Sequence, residues 1–410
     1  MAAKNTNDRV SAFTGLDNIH DPLTLGLGAQ VQVDNVDITN KGHITRMRGY
    51  KKVLSNTSVT GAYATKDLQR LYVVDNGNLV QVFSDLSSIT LKSGLNAAPM
   101  YFTEVNGVVY YSNGIDFGTL TPGGYKPWGI AQPTAPALAN PGGGTLPAGE
   151  YQVVCTLVDA NGLESSNSDV VVIDTITATG RIYITNIQQV SGYTTNVYAT
   201  KNDGDVFYLL RENSGVSTTY DFTDYDTMGR ELPFWNRNLP RGSIPAYFGG
   251  RIYTAEWYPQ TDTTAIWRSL PLHFHQFDPG AEGITVPGQV VGQCATRETH
   301  FTGNERLTQK GVADALLIGT DREIYTWDDD QLVLLASYGM VPGWHITEFR
   351  GKLYFWTLRG LCRALPFENL TESTVSVAPG LGAGGTVLER NGTHRYVVAL
   401  HQGGAAFNQL

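Results

Sequence analysis

The sequence has little charge and few cysteines. Charged residues make up 16% of the 410-residue chain, whereas about a quarter is usual in globular proteins. The formal net charge of −9 argues against a nucleic-acid-binding protein, because that attraction needs Lys and Arg facing the phosphates. Cys155, Cys294 and Cys362 are far apart and form no CxxC pair. This pattern excludes a zinc knuckle and a disulfide framework, and it predicts three buried, reduced thiols.

Long apolar runs are missing as well. No run of about 18 apolar residues occurs, so we expect no membrane span. Residues 1–16 lack the apolar core of a signal peptide. The expected product is therefore a soluble protein that folds in a cytoplasm-like setting.

Motifs that carry chemistry are also absent. The chain contains no GxSxG elbow, HExxH, P-loop or glycine-rich nucleotide loop. A pair of carboxylates for glycoside hydrolysis leaves no such motif, because the two groups meet in space. The sequence favours a protein that is not an enzyme and holds no cofactor or metal, with a glycosidase as the open alternative.

The residues that abound are those of strands and tight turns. The chain has 45 glycines, 21 tyrosines and 41% hydrophobic residues. Apolar and polar residues alternate in short runs such as RLYVV, GVVYYS, GRIYTAEW and GKLYFW, which is the period of a half-buried strand. Gly107, Gly250 and Gly351 each stand three residues before a tyrosine and after another apolar run. This arrangement predicts hairpins with glycine in the turn.

The aromatic strand residues recur with a period near 40. Tyr72 and Tyr110 are 38 residues apart, and Tyr110 and Tyr253 are 38 apart once residues 131–235 are removed. Tyr253 and Tyr325 are 72 apart, which we interpret as two periods with one degenerate copy between them. Strand-only repeats of this length indicate propeller blades, which bury their faces against their neighbours in a closed ring. We predict an all-β protein: a β-propeller of about six blades, one of them completed by an N-terminal hairpin. A sandwich with coincidental spacing is the alternative.

Residues 131–235 form a separate module in this interpretation. They open with a Pro- and Gly-rich linker, and about seven short strands follow, as in an immunoglobulin-like or fibronectin-like sandwich. The Cys-Trp-Cys pattern of antibody domains is absent, so fibronectin-like is the better description. The predicted organisation is an extended N-terminal arm over 1–23, a discontinuous propeller over 24–130 and 236–410, and an inserted β-sandwich over 131–235.

Three local clusters of residues resemble ligand-binding sites, but a structural role explains each of them better. His273 and His275 share one face of a strand, and His300 follows. A metal needs three or four converging ligands, so a polar or inter-subunit strand is favoured. Asp328–Asp330 lack the spacing of a calcium loop and fall at an expected turn. Gly380–Gly385 precede no helix start and are interpreted as a linker.

The stretch 33–53 is split by charge. Its first half is acidic, and its second half, after Asn-Lys-Gly, is basic, which predicts a hairpin. The hairpin is either a sheet edge protected by basic residues or a contact with another subunit or an adaptor protein. Nucleic-acid binding is less favoured, because aromatic residues for base stacking are absent there. The candidate interface residues are Asp34, Asp37, Lys41, Arg46, Arg48, Lys51 and Lys52.

Around this hairpin the sequence resembles a known family. FTGLDNIHDPLTL, followed by AQVQVDNVDITNKGHITRMRGYKKV, resembles the N-terminal signature of tail nozzle or hub proteins of short-tailed bacteriophages. The corresponding positions are Gly15, Leu16, Asp17, Asn18, Asn35, Val36, Asp37, Gly42, Arg46, Arg48, Gly49 and Tyr50. Ile19 stands where the family has a second Asn, and Arg48 where it usually has Pro. The segment from AGEYQVVCTLVDANGLESSNS to NVYATKNDGDVFYLL is similar to the family's fibronectin-like insert.

The resemblance implies a structural virion protein of the phage tail, made in the cytoplasm of a host bacterium. Such a subunit assembles as a ring, commonly a hexamer, contacts tail adaptor or connector proteins and tail fibres, and lets genomic DNA pass without specific binding during ejection. The alternative is a receptor- or glycan-binding propeller of a tail or cell surface, with or without glycosidase activity. Trp257, Tyr258 and Trp267 could stack on sugars, although blade cores use the same residue types, and we expect core positions.

Overall fold

The structure is a computed structural model. It describes residues 12–26, 28–34, 36–38, 42–46, 58–175, 180–213, 217–232, 242–277, 283–297, 314–328, 330–364, 366–390 and 393–403. Within these ranges the regular elements are all β-strands, and no helix suited to crossing a membrane occurs.

The first described residues, 12–46, form what we call the N-terminal module. Its strands are β1 (Gly15–Leu16), β2 (Ala29–Gln30), β3 (Val36–Ile38) and β4 (Ile44–Arg46). β1 and β2 are parallel, and β3 and β4 form an antiparallel pair. The expected arm over 1–23 thus contributes β1, which pairs with a strand beyond residue 23. The predicted charge-split hairpin is confirmed as the β3–β4 pair.

Five antiparallel sheets follow, each of four or five strands. Blade one has β5 (Val59–Ala64), β6 (Leu71–Asp75), β7 (Asn78–Val82) and β8 (Ser88–Lys92). Blade two has β9 (Tyr101–Val105), β10 (Val108–Ser112), β11 (Phe117–Thr121) and β12 (Gly124–Lys126). The inserted domain comes next with β13 (Ala137–Ala139), β14 (Gly149–Asp159), β15 (Val171–Thr175), β16 (Ile182–Thr185), β17 (Tyr193–Ala199), β18 (Tyr208–Asn213) and β19 (Tyr220–Phe222).

The propeller then resumes. Blade three has β20 (Ser243–Phe248), β21 (Arg251–Tyr258), β22 (Thr263–Leu270), β23 (His273–Phe277) and β24 (Gly283–Pro287), the last two both pairing with β22. Blade four has β25 (Val290–Arg297), β26 (Asp314–Thr320), β27 (Ile324–Trp327) and β28 (Leu332–Ala336). After β29 (Gly343–Trp344), blade five has β30 (Thr347–Phe349), β31 (Lys352–Thr357), β32 (Gly360–Arg363) and β33 (Glu368–Asn369). Blade six has β34 (Gly382–Arg390) and β35 (Thr393–His401), with β29 parallel to β34.

The hydrophobic cores lie between consecutive blades, as a propeller requires. Tyr72 of blade one and Tyr111 of blade two share one core, and Val105 of blade two and Ile252 of blade three share the next. Cores of the same kind follow as far as blades five and six, where Trp356 packs against Leu400. Each blade therefore buries its faces against its neighbours. This arrangement confirms the predicted all-β propeller of about six blades. The N-terminal hairpin does not complete a blade in the described part of the chain, where β3 and β4 form a separate two-stranded sheet.

The first strands of the blades converge on the centre of the propeller. β9 contacts β5 on one side and β20 on the other, and β20 contacts β25. From β29, beside blade six, the indole nitrogen of Trp344 donates to the backbone oxygen of Met100, 2.9 Å away, and its ring lies 6.0 Å from that of Tyr101. Trp344 thus connects the strand beside blade six to the start of blade two.

The predicted glycine turns are confirmed. Asn106 and Gly107 form a two-residue turn between β9 and β10, with φ of 51° and 75°, which is the geometry that matches the twist of paired strands. Gly250 and Gly351 occupy the same place between the first two strands of their blades. The glycine signal therefore located the first turn of three blades.

The predicted degenerate copy between Tyr253 and Tyr325 is wrong. Tyr325 lies in β27, the third strand of blade four, whereas Tyr253 lies in β21, the second strand of blade three. The two strands therefore belong to adjacent blades. The spacing is wide because blade three has a split outer strand, residues 298–313 separate β25 from β26, and β26 has no aromatic residue, so the tyrosine falls one strand later.

The inserted domain is a β-sandwich with its own core, as predicted. One sheet has the order β13-β16-β19 and the other β15-β14-β17-β18. The core between them includes Tyr151, Cys155, Ile184 and Phe222, all fully buried. A core independent of the blades explains how the domain fits between blades two and three without disturbing the propeller repeat.

The glycine-rich stretch 380–385 is not a linker, which corrects that interpretation. Gly382–Gly385 begin β34, the first strand of blade six. Gly385 lies under the ring of Tyr396, whose Cζ would be 2.7 Å from a Cβ at that position. Glycine is therefore needed for close packing rather than for flexibility.

Candidate functional site: the N-terminal module and its contact with the propeller

Residues of the family-like signature build the parallel pair of the N-terminal module. Gly15 pairs with Ala29 and Leu16 with Gln30. The backbone nitrogen of Asp17 donates to the oxygen of Gln30, 2.8 Å away. The Asp17 carboxylate then closes the following turn by accepting from the backbone nitrogen of His20 at 3.2 Å. These bonds bring the side chain of the next residue in the signature, Asn18, to the module surface.

Gly42, the signature glycine before β4, allows two segments of the module to cross. It is buried, has a φ of 73°, and accepts a hydrogen bond from the backbone nitrogen of Phe13. A Cβ at this position would lie 2.6 Å from the Cβ of Ala12. Any other residue would therefore push residues 12–13 away from the hairpin.

Asn18 clamps the module to the propeller. Its backbone nitrogen donates to the oxygen of Thr374 at 3.0 Å, and its side-chain nitrogen donates to the oxygen of Ser376 at 2.9 Å. The backbone nitrogen of Ser376 returns a bond to Asn18 Oδ1 at 2.7 Å. The side-chain amide thus pairs with Ser376 as a strand backbone would, and it fixes the module beside the connection from blade five to blade six.

The β3–β4 pair places the acidic and basic halves of the predicted interface side by side. Val36 is opposite Arg46 and Asp37 is opposite Thr45. The side chains of Asp34 and Arg46 are exposed, and Asp34 accepts a bond from Gln32 at 2.6 Å. The remaining candidates lie outside the described residues: Lys41, Arg48, Lys51 and Lys52. For Asp37, the backbone alone is described.

Large aliphatic side chains on the same module were not predicted as part of the site. Leu23 is 93% exposed and Ile44 is 45% exposed. Ile19 and Val31 are exposed as well. Exposed aliphatic residues near charges of both signs are typical of surfaces that become buried in an interface. These residues stand at irregular intervals in a polar segment, so no helix or strand period in the sequence identifies them.

The thiols do not form a nucleophilic site. Burial raises the pKa of Cys155 to about 12, and burial together with the Glu348 carboxylate raises the pKa of Cys294 to about 12. Both thiols therefore stay protonated at neutral pH, and a thiol is a poor nucleophile. Cys155 and Cys362 are buried and free as predicted. Cys294 is partly exposed as a residue, although its thiol group itself is enclosed.

The structure describes part of the histidine and aspartate clusters. The ring centroids of His273 and His275 are 6.1 Å apart, and burial together with His273 lowers the pKa of His275 to about 4. His300 lies outside the described residues, among which no three His, Cys, Asp or Glu side chains are grouped as metal ligands. Asp328 Oδ1 accepts from the backbone nitrogens of Asp330 and Gln331 at 3.0 and 2.7 Å, which confirms the predicted turn.

One carboxylate organises the aromatic residues of blade three. Glu256 Oε2 accepts from the Tyr258 hydroxyl at 2.7 Å and from the Trp267 indole nitrogen at 2.8 Å. Trp267 packs against the core that contains Trp128, so the expectation of a core position is confirmed for this residue. Tyr258 is exposed, so the expected core position is wrong for this residue, and Trp257 is half-buried. Tyr258 is the aromatic side chain of the group most available to a ligand.

Comparison with known proteins adds little to this picture. The sequence matches no protein family and no curated protein. Among solved structures, the chain is similar to a catalytically inactive virginiamycin B lyase from Staphylococcus aureus crystallised with quinupristin (TM-score 0.34, 10% identity, 84% of this chain and 94% of that one). It is also similar to a chain of a nidogen–laminin complex (TM-score 0.24, 12% identity, 72% and 88%) and to Hsv2 of Kluyveromyces lactis (TM-score 0.21, 12% identity, 71% and 88%). Similarities this weak identify no activity or ligand, and the propeller assignment rests on the sheets and cores described above.

Proposed function

We propose that this protein is a structural subunit of a bacteriophage tail nozzle or hub, which assembles as a ring around the channel through which DNA leaves the virion. The observation that carries the proposal is the N-terminal module. The signature residue Asn18 holds the module against the propeller through hydrogen bonds, and strand β4 of its charge-split pair is exposed. A docked strand pair whose sequence carries both charge signs suits a repeated contact between identical subunits.

The charge of the chain also suits a conduit. With 38 acidic and 29 basic residues, the wall of a ring built from this protein repels the phosphates of passing DNA at short range, and salt weakens this repulsion. DNA then moves through without being held. The implied partners are further copies of the chain, commonly six, together with tail adaptor or connector proteins and tail fibres, and the implied location is the virion tail.

The test of this function is assembly rather than catalysis. The double variant Arg46→Glu, Arg48→Glu reverses the basic strand of the hairpin, so the ring should break down to single chains of 44.7 kDa. Light scattering after gel filtration measures the mass. The control is Lys126→Glu, the reversal of an exposed charge on the outer strand of blade two, which should leave the ring intact. Rings of unchanged mass from the double variant would contradict the proposed contact.

A second candidate function is sugar binding by blade three. It is favoured by the exposed ring of Tyr258, which Glu256 holds in place beside Trp267, because aromatic faces next to a carboxylate suit the apolar and hydroxyl surfaces of a sugar. Saturable binding on a glycan array, abolished by Tyr258→Ala, would favour this candidate. Ring assembly without glycan binding would favour the nozzle.

A further inference from the structure

Three leucines hold an unusual backbone conformation at the tips of turns in blades one and three. Leu68, Leu86 and Leu272 have φ of 56°, 67° and 62°, in the left-handed region where a residue with a large side chain is uncommon. In other turns of this chain asparagine holds the same conformation, as at Asn76 and Asn106. A leucine at these positions therefore costs free energy that asparagine or glycine avoids.

The same three side chains are exposed. Leu68 is 81% exposed, Leu272 is 72% exposed and Leu86 is 50% exposed. Phe83 and Ile89 flank Leu86 and are exposed as well. Packing in a core therefore does not compensate for the unfavourable backbone conformation. Positions where backbone preference and burial both disagree with the fold are expected at functional sites.

The three turns lie at one side of the propeller. Leu68 follows β5, the first strand of blade one, and Leu86 follows β7, the third strand. Leu272 follows β22, the third strand of blade three. Turns after the first and third strands of an antiparallel blade lie at the same side. In blade three the backbone nitrogen of Leu272 donates to the oxygen of Gly250, in the first turn, at 2.8 Å.

The inserted domain and the N-terminal module join the propeller at the opposite side. Blades one and two are aligned at the start of their first strands, where the backbone nitrogen of Met100 donates to the oxygen of Thr60 at 2.8 Å. The insert leaves after β12, the fourth strand of blade two, and the module contacts residues 374–376 after β33, the fourth strand of blade five. The side that carries the leucines is therefore distinct from both attachments.

Hydrogen bonds within the two turns of blade one hold their leucines in place. In each turn the aspartate before the leucine, Asp67 or Asp85, accepts from the backbone nitrogen two residues further on, at 3.0 or 2.9 Å. The same carboxylate oxygen accepts from a neighbouring hydroxyl, at 2.5 Å from Thr65 and at 2.6 Å from Ser87. The carboxylates are therefore bound within their own turns, and each turn presents its leucine in a defined position.

Basic side chains stand at the same side. Lys66 is exposed and Arg70 is half-buried in the turn of Leu68. Arg350, exposed in the corresponding turn of blade five, also has a positive φ, 50°, and its guanidinium lies 5.2 Å from the centroid of the Phe349 ring. Apolar tips beside Lys and Arg suit the boundary between the phosphate groups and the acyl chains of a bilayer.

We infer that this side of the propeller docks on the surface of a phospholipid bilayer, with Leu68, Leu86 and Leu272 entering the acyl-chain boundary. The leucines stand on separate turns of two blades that are not adjacent, whereas a protein partner buries one contiguous apolar core. Acyl chains are deformable and accept single apolar side chains, and the lipid phosphates pair with Lys66 and Arg350. A ring around DNA does not require this contact, so the inference goes beyond the proposed function.

Flotation with vesicles of phosphatidylethanolamine and phosphatidylglycerol tests the contact. The unmodified protein should rise with the vesicles. The triple variant Leu68→Asn, Leu86→Asn, Leu272→Asn should stay behind, since the burial of each leucine raises the affinity about tenfold. Asparagine suits the left-handed conformation, so this variant should melt at the same or a higher temperature. The control Ile115→Asn changes a 62% exposed residue in a turn at the opposite side, and it should float like the unmodified protein.

A dye that responds to its surroundings shows which side meets the lipid. Its fluorescence should shift to the blue with vesicles when it is attached at Gln69→Cys, next to Leu68, and should not shift at Ile115→Cys. An unmodified protein that does not float, or a triple variant that floats equally well, would overturn the inference. A triple variant with a smaller assembled mass in light scattering, without a change in flotation, would assign the leucines to a contact between subunits and also overturn it. The nozzle proposal is tested separately, by the mass of the unmodified protein.

Discussion

Asn18 and Ser376 are 358 residues apart in the chain and exchange two hydrogen bonds, at 2.9 and 2.7 Å. The contact joins the N-terminal module to the last part of the propeller. Asn18, a residue of the signature, therefore positions the module. Its side-chain amide forms the two hydrogen bonds that a neighbouring strand would form with the backbone of Ser376. The Asn18 side-chain amide therefore helps to fix the orientation of the module, together with the backbone bond from Asn18 to Thr374.

We predict that Asn18→Asp loosens the module. The substitution replaces the donor by an oxygen that faces the backbone oxygen of Ser376, at a cost of about 2 kcal/mol. Hydrogen exchange over residues 12–46 should accelerate while the blades keep their protection. Asn140→Asp is the control, because Asn140 uses its side-chain oxygen to accept from Gly142 and aspartate keeps that bond. Unchanged exchange in the Asn18 variant would show that the clamp is not what holds the module.

Acid should destabilise the propeller through buried neutral histidines. His345 is fully buried, accepts from the backbone nitrogen of Trp356 at 2.9 Å, and lies 2.5 Å from the oxygen of Val341. Burial lowers the pKa of His345 to about 4, and burial lowers that of His275 to about 4. Since the unfolded chain takes up these protons first, near the ordinary histidine pKa of about 6.5, stability is full above that pH and falls towards pH 4.

Urea unfolding at a series of pH values measures this effect. We expect a loss of about 2 kcal/mol by pH 5 for His345, and a smaller loss for the half-buried His275. The variant His275→Leu should flatten part of the slope and leave the rest. A free energy of unfolding that is constant from pH 7 to pH 5 would contradict the assignment of neutral buried histidines.

The buried carboxylate of the insert should be indispensable to that domain. Glu164 Oε1 accepts from Thr156 and from Tyr198, both at 2.6 Å, and its Oε2 accepts from Arg230 at 3.1 Å. Glu164→Gln removes the charge that these donors surround, and we expect a loss of about 3 kcal/mol. Glu150→Gln, an exposed change on β14, is the control. Thermal unfolding of the two variants gives the comparison, and equal midpoints would refute the prediction.

Two adjacent glycines of β34 should respond oppositely to alanine. Gly385→Ala places a methyl group against the ring of Tyr396, whose hydroxyl donates to the backbone oxygen of His345 at 2.6 Å. Either the ring moves and that bond breaks, or the strand shifts, at a cost of about 1–3 kcal/mol. At Gly384 nothing lies within 4 Å of the added carbon, so Gly384→Ala should be neutral or slightly stabilising. Differential scanning calorimetry distinguishes the two outcomes, and equal melting temperatures would contradict the packing described.

Much of the fold could be predicted because blades are local structures. Alternation and turn glycines such as Gly107 are properties of a few consecutive residues, so the hairpins of several blades and the β3–β4 pair were predicted correctly. The predicted number of repeats was wrong at Tyr325, because β26, the second strand of blade four, has no aromatic residue and the tyrosine lies in the third strand, β27. The interpretation of residues 380–385 as a linker was wrong, because a glycine-rich sequence suggests a flexible segment. Only the structure shows that this stretch packs against the ring of Tyr396.

The sequence by itself determined the elements of this protein: the strands, their turns, the inserted sandwich and the charge of the hairpin, since each depends on contacts between neighbours in the chain. Only the tertiary structure decided how the N-terminal module contacts the last part of the propeller. The bonds between Asn18 and Ser376 depend on the closure of the propeller and leave no periodic signal in the sequence. The tertiary structure also decided that blade six stops at β35 among the described residues, since the supply of strands to a sheet is a property of the whole ring.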